Sequence, residues 1–255
     1  MKISFRVARF IFLGLLLAAS LCLLLRETAV ERARLHVLMY HHLVPEGEDC
    51  GDWAVTGARF RADLQWLADN GWTTVLPGEL AAGAPLPDKA VMITFDDGYR
   101  SNYDIAYPLL REFQAKAAVS VVARYVDAGL PNFLSWDMCR EMAQSGLVEI
   151  GSHTYDCHGD GGIQRRPGED LETYQARIRP DIQASIDLIE RNVGTRPLLF
   201  AYPYGGKDRW ATGFIESSFP VTLVTIEGRS SLKHGLHDLQ RYNVSMDTPL
   251  CDILS

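Results

Sequence analysis

Apolar residues along this chain recur with two different periods, and the two periods take turns. Short apolar or alternating runs, the pattern of strands buried in a sheet, fall near 35–42, 73–76, 90–95, 116–123, 148–152, 198–202 and 221–226. Between them the apolar positions return every three to four residues, which predicts helices near 57–70, 101–114, 135–145, 170–193 and 209–218. Gly71, Gly146 and Gly194 stand just past three of these helices, where a C-terminal stop is expected. Strands alternating with helices predict an α/β fold with a parallel sheet and crossover helices. Closing that sheet gives a barrel, whose chemistry gathers at the carboxyl ends of its strands. The Gly-, Asp- and Pro-rich segments 44–55 and 156–169 are expected to form loops over the barrel mouth.

The front of the chain follows neither period. Lys2, Arg6 and Arg9 precede an uncharged run from Phe10 to Leu25, and Arg26 follows it, which is the pattern of a signal sequence or an N-in membrane anchor. As a helix this run would span about 24 Å against a hydrocarbon core of about 30 Å, so both cleavage and anchoring fit its length. Ala18-Ala19-Ser20 is a mediocre cleavage site, and Leu21 stands before Cys22 where a lipid-attachment signal needs a small residue. An uncleaved anchor is the preferred reading. It divides the chain into a signal/anchor segment, 1–30, and one domain, 31–255, on the extracytoplasmic side of the membrane.

Composition narrows the function further. The 255 residues are 47% hydrophobic, enough for one full-sized core, and no second composition regime appears. A net charge of −7, with no Lys/Arg block beyond the N-terminus, argues against nucleic acid as a partner. Outside the anchor, Cys50, Cys139, Cys157 and Cys251 could form up to two disulfides in an oxidising compartment, and a Cys139–Cys157 bond would brace the segment carrying His158.

The strand at Ala90–Phe95 runs into Asp96-Asp97-Gly98, and the strand near 148–152 runs into His153-Thr-Tyr-Asp-Cys-His158. One carboxylate and two neutral imidazoles suit zinc or a similar divalent ion, and they leave coordination positions open, as catalysis requires. A spacing of five would set His153 and His158 about 140° apart on a helix, so a loop leaving a strand must converge them. Adjacent aspartates repel unless a cation or a reaction needs both, which invites two separate roles. Taken singly, each motif could be an Asp-Gly turn or a pair of ordinary loop histidines.

The ordered set Thr94-Phe-Asp-Asp-Gly98, His153-Thr154 and Phe200-Ala-Tyr-Pro-Tyr-Gly205 resembles the motifs of NodB-type polysaccharide deacetylases, the family 4 carbohydrate esterases, over roughly residues 35 to 245. The five-residue histidine spacing and Leu38-Met-Tyr-His41 resemble most the poly-N-acetylglucosamine deacetylases of biofilm matrices. This resemblance implies a distorted (β/α)7 barrel in which Asp97, His153 and His158 hold a divalent metal: zinc (Zn), with Co, Ni, Fe or Mn as alternatives. It implies Asp96 as general base, the Tyr204 backbone N–H as oxyanion donor and His41, from the early Tyr-His step, as the acid. His42, its neighbour, would point to the opposite face of a continuous strand.

Two elements depart from the family pattern. Ala201 stands where an arginine usually precedes the Pro-Tyr-Gly element, and the Asp-x-x-Asp-Trp element is missing, so Arg241 and Glu227 are the candidates left to tune Asp96. The implied function is metal-dependent removal of N-acetyl groups from an extracytoplasmic, poly-N-acetylglucosamine-like polysaccharide, in company with exopolysaccharide synthesis or export machinery. Peptidoglycan or chitooligosaccharide deacetylation, O-deacetylation, and a turnover-deficient carbohydrate-binding protein are the alternatives.

Overall fold

The structure is a computed structural model and describes residues 34–159 and 161–254; the expected anchor, residues 1–30, lies outside the described residues. Among the described residues, no helix is long and apolar enough to cross a membrane. The chain begins with strands β1 (Arg34–Tyr40), β2 (His42–Val44) and β3 (Ala54–Thr56), helix α1 (Gly57–Asp69), β4 (Thr73–Thr74), α2 (Pro77–Ala81) and β5 (Ala90–Phe95). It continues through α3 (Tyr107–Phe113), β6 (Ala117–Val121), α4 (Ala123–Asp127), α5 (Trp136–Gln144), β7 (Val148–Ser152), α6 (Leu171–Val193) and β8 (Leu199–Ala201). Helix α7 (Arg209–Ser218), β9 (Val221–Leu223), β10 (Ser230–Ser231), β11 (Tyr242–Asn243) and α8 (Leu250–Ile253) complete it.

The main sheet runs β10-β1-β5-β6-β7-β8-β9, with β4 beside β5 and β11 beside β1. From β1 through β9 the neighbours are parallel, so the carboxyl ends of β1, β5, β6, β7 and β8 lie side by side. The expected seven-stranded barrel is realised as a curled, half-barrel sheet. Its far strand approaches β1 through one segment, in which Leu239 bridges Leu223 and Tyr242 and Asn243 pair with Leu38 and Met39.

Period two sorts the strand residues onto two faces. Leu35, Val37, Met92, Ala118, Leu199, Ala201 and Leu223 share one cluster, whereas Leu38, Tyr40, Ile93, Phe95, Ala117 and Val119 belong to another with residues of α1, α3 and α5. Continued along β5, the alternation puts Thr94 and Asp96 on the Met92 face. Helix α6 lays Tyr174, Ile178, Ile182 and Ile186, spaced by four, against Phe200, Tyr202 and Ile215. Each fully buried side chain of this kind contributes about 1.5–3 kcal/mol.

Three expectations need correction. The single strand expected at 35–42 is broken at His41: His42 pairs instead with β3 in a separate two-stranded sheet, and its N–H bonds the Trp53 carbonyl at 3.2 Å. The helix expected from 101 opens as a wide π-type turn over Asn102–Ala106 before α3 begins, a distortion common beside functional sites. The Cys139–Cys157 bond is not formed, and Cys50, Cys139, Cys157 and Cys251 are all free thiols. Cys139 faces the core on α5, while Cys157 packs with the separate cluster around α6, and burial pushes both thiols up to about 12.

Candidate active site

Asp96, 2% exposed, leaves β5 towards the interior and meets Arg241, which is wholly buried. Arg241 Nη1 and Nη2 donate to the two carboxylate oxygens at 2.8 and 2.7 Å, and Nε donates to the Val224 carbonyl at 3.0 Å. Burial by itself opposes the Asp96 charge, but the Arg241 guanidinium, with lesser help from His153 and His41, holds the carboxyl well below the usual carboxylate range. Glu227, the other candidate for this place, is exposed.

Asp97 turns away from its neighbour because its backbone is left-handed, with φ 70°. Gly98 follows at φ 75°, and a Cβ there would stand 2.8 Å from Val121 Cγ1, so the Asp-Gly turn is required by β6 beside it. Asp97 Oδ1 lies 3.0 Å from His158 Nε2 and 3.5 Å from His153 Nε2. One ligand atom from each of the three residues lies within 4.8 Å of the others. His153 follows β7 directly, and its Nδ1 is 2.8 Å from the Ala201 carbonyl. A carbonyl only accepts, so Nδ1 carries the proton and Nε2 presents its lone pair towards Asp97. Burial lowers the His153 pKa and favours that neutral ring, with Asp96 and Asp97 opposing.

His158 is held differently, by a loop. The Asp181 carboxylate on α6 accepts the backbone N–H groups of Tyr155, Asp156 and Cys157 at 3.0, 2.8 and 3.1 Å. Tyr204 Oη donates to the His158 carbonyl at 2.9 Å, and the two rings lie 5.2 Å apart. Tyr204 has φ 57° and Gly205 has φ 66°; a Cβ on Gly205 would collide with Thr225 Oγ1 at 2.2 Å, which makes glycine the residue that fits this turn.

His41 sits in the break between β1 and β2. Asn102, in the π-type turn, donates Nδ2–H to the His41 carbonyl at 2.9 Å, and the Trp53 ring packs edge-on 4.9 Å from the imidazole. Burial lowers the His41 pKa, while the Asp96 and Asp97 charges pull it back up. His42 instead meets Ser101 Oγ at 2.8 Å and stacks on Tyr99. The structure therefore gathers His41, Asp96, Asp97, His153 and His158 at adjoining strand ends, with Tyr204 covering His158 from solvent as a 64% exposed ring. Asp181, Asn102 and Trp53 have no mark in the sequence: an aspartate inside a long amphipathic helix carries no signal until the loop it bonds is known.

The donor set fits a divalent ion. Two imidazole nitrogens and a carboxylate oxygen converge, one imidazole is fixed in the ligating tautomer, and Asp96 is kept out of the group by its bidentate tie to Arg241.

Comparison with known proteins bears on the same residues. Residues 83–216, more than half of the chain, match the family model described as polysaccharide deacetylase. The poly-beta-1,6-N-acetyl-D-glucosamine N-deacetylase of Escherichia coli (strain K12) is 31% identical over 204 residues, covering 66% of this chain and 30% of that protein. The chain thus spans less than a third of that relative's length. Among solved structures, a de-N-acetylase from Aggregatibacter actinomycetemcomitans aligns with TM-score 0.75 at 25% identity, over 87% of this chain and 100% of its own. IcaB from Ammonifex degensii aligns with TM-score 0.73 at 27% identity, over 84% of this chain and 93% of its own. The chain belongs to the polysaccharide deacetylase family.

Proposed function

We propose that residues 31–255 form a hydrolase that removes N-acetyl groups from an extracytoplasmic polysaccharide of the poly-N-acetylglucosamine type, releasing acetate and leaving free amines. The observation that carries this reading is the convergence of Asp97, His153 and His158 beside an acid, Asp96, that is ionised and tied elsewhere. A divalent ion held by these three residues, zinc by the donor set, would supply Lewis acidity, lowering the pKa of water and polarising the acetamide oxygen.

The chain's own groups account for the proton movements. Asp96 spends one acceptor position of each oxygen on Arg241 and keeps others for a water proton, which it takes as the water oxygen adds to the acetyl carbon. Arg241 fixes the carboxylate plane and keeps it ionised, at the cost of making it a weaker base. The Tyr204 backbone N–H donates to the oxygen that becomes negative. His41, whose protonated form is opposed by burial and favoured by the Asp96 and Asp97 charges, gives a proton to the departing nitrogen as the C–N bond breaks. Asn102 and Trp53 hold His41 to that position.

The name of the E. coli relative, and the polysaccharide deacetylases among related structures, support the substrate class. Residues 1–30 are proposed to anchor the domain at the membrane, where it would meet its polymer as export machinery delivers it. The test is acetate release by the metal-loaded protein from defined β-1,6-linked N-acetylglucosamine oligomers, chitooligosaccharides and an O-acetylated glycan. Chelator-sensitive release that favours the β-1,6 oligomers is expected. Release that survives chelation, or favours another glycan, would overturn the proposal.

A further inference from the structure

A concave surface lies between α6, the loop before it and the start of α7. It is an open groove of about 640 Å³, and Arg165, Arg179, Asp208, Arg209, Trp210 and Phe214 line it. Three guanidinium groups face one carboxylate, in a chain whose net charge is −7. That carboxylate is already engaged, since Asp208 Oδ1 accepts the Trp210 backbone N–H at 2.8 Å as the cap of α7.

Arg179 carries the argument. Trp210 and Phe214 are parallel within 7°, and the Arg179 guanidinium lies 5.2 and 4.7 Å from their ring centres. Cation–π contact holds the planar group on its face and leaves its N–H edges free for a planar or tetrahedral oxyanion. Neither Arg179 nor Arg209 makes an ion pair with any described residue, whereas half of the described arginines do. A prearranged guanidinium on an aromatic base, with a second beside it, is a site for bidentate anion capture.

Its place ties it to the glycan. Six residues lie between His158 and Arg165 and five between Tyr204 and Trp210, so both walls of the groove continue the two segments that bound the candidate site, within about 25 Å along the chain. We propose that this groove is an oxyanion subsite, which binds a carboxylate or phosphate carried by the same glycan strand a few sugars from the acetamide being hydrolysed. The inference rests on the reading that the neighbouring site acts on a glycan. An arginine groove also disfavours a strand already bearing free ammonium groups, so it would select acetylated or acidic stretches over product.

The test uses the full chain in a neutral detergent and two tetrasaccharides of N-acetylglucosamine, one plain and one with lactyl-ether carboxylates on alternate sugars. Dissociation constants are measured by surface plasmon resonance at low salt, and acetate release is recorded in parallel. The carboxylate form is expected to bind about tenfold more tightly. Arg179→Gln/Arg209→Gln should remove that advantage, as should raised salt, while binding of the plain tetrasaccharide stays unchanged. Inorganic phosphate should compete only with the carboxylate form. Equal binding of the two glycans, or an advantage that survives in the double variant, overturns the proposal. So does retention on phosphatidylglycerol vesicles that the double variant abolishes without any glycan preference, which would assign the groove to a lipid surface. If the advantage holds but neither glycan releases acetate, the subsite stands and the deacetylase reading falls; release without the advantage removes the subsite alone.

Discussion

The two halves of the candidate site are built by different means. Asp96, Arg241 and His153 are held from the sheet: they are almost wholly buried, with bonds to Val224 and Ala201 carbonyls. His158 and Tyr204 are held by loops, with a more exposed surface and a fan of backbone hydrogen bonds gathered by Asp181. The inner half is therefore an electrostatic assembly whose failure should be felt by the whole fold. The outer half is a positioned flap whose failure should be felt first by ligand binding.

The largest expected break in that contrast is Arg241→Met, which leaves a buried carboxylate unpaired. It should cost about 3–5 kcal/mol in chemical denaturation, and a loss below about 1 kcal/mol would mean the pair does not hold the interior. The pH dependence has a definite sign. The folded-state pKa of Asp96 is depressed, so its contribution is complete above the unfolded carboxylate value of about 3.9 and fades as pH falls towards the lower folded value. The stability gap between the natural protein and Arg241→Met should accordingly narrow below about pH 4.

Next in size is His41→Ala, expected to slow amide hydrolysis about a hundredfold while leaving an activated ester, whose leaving group needs little proton donation, far less affected. Equal losses would move the acid role to another group. On the outer half, Asp181→Ala strips three N–H groups of their acceptor. It should weaken ion binding about 10- to 100-fold by titration with little change in substrate chemistry at saturating metal, the behaviour of a supporting residue. Unchanged ion affinity would show that the loop holds its shape without it. The smallest effect is expected for Tyr204→Phe, which removes a single exposed hydrogen bond worth about 0.5–1.5 kcal/mol and should shift ion affinity only a few-fold.

Much of the inner half is legible in the sequence, because strand alternation settles it: Met92, Thr94 and Asp96 share a face by period two, and the Asp-Gly step forces the next carboxylate elsewhere. The outer half is less so. His153 and His158 could be paired from residue type and spacing, but the acceptor that shapes their loop stands on α6, with nothing in its local pattern to mark it. The break at His41 was hidden for a related reason, since an apolar run reads as one strand even where its last residues pair with a different sheet. The choice between Arg241 and Glu227 also required three dimensions, because both lie in the irregular stretch between β9 and β11, and only the path of that stretch back to β1 puts a guanidinium beneath Asp96.

At the centre of the account is a division of labour between two adjacent aspartates. The most direct test is elemental analysis of bound divalent metal, together with acetate release, for the natural protein, Asp97→Ala and Asp96→Asn. One ion per chain with turnover, no ion and no turnover, and one ion without turnover are predicted in that order. Equal metal loss in both variants, or equal metal retention in both, would contradict it.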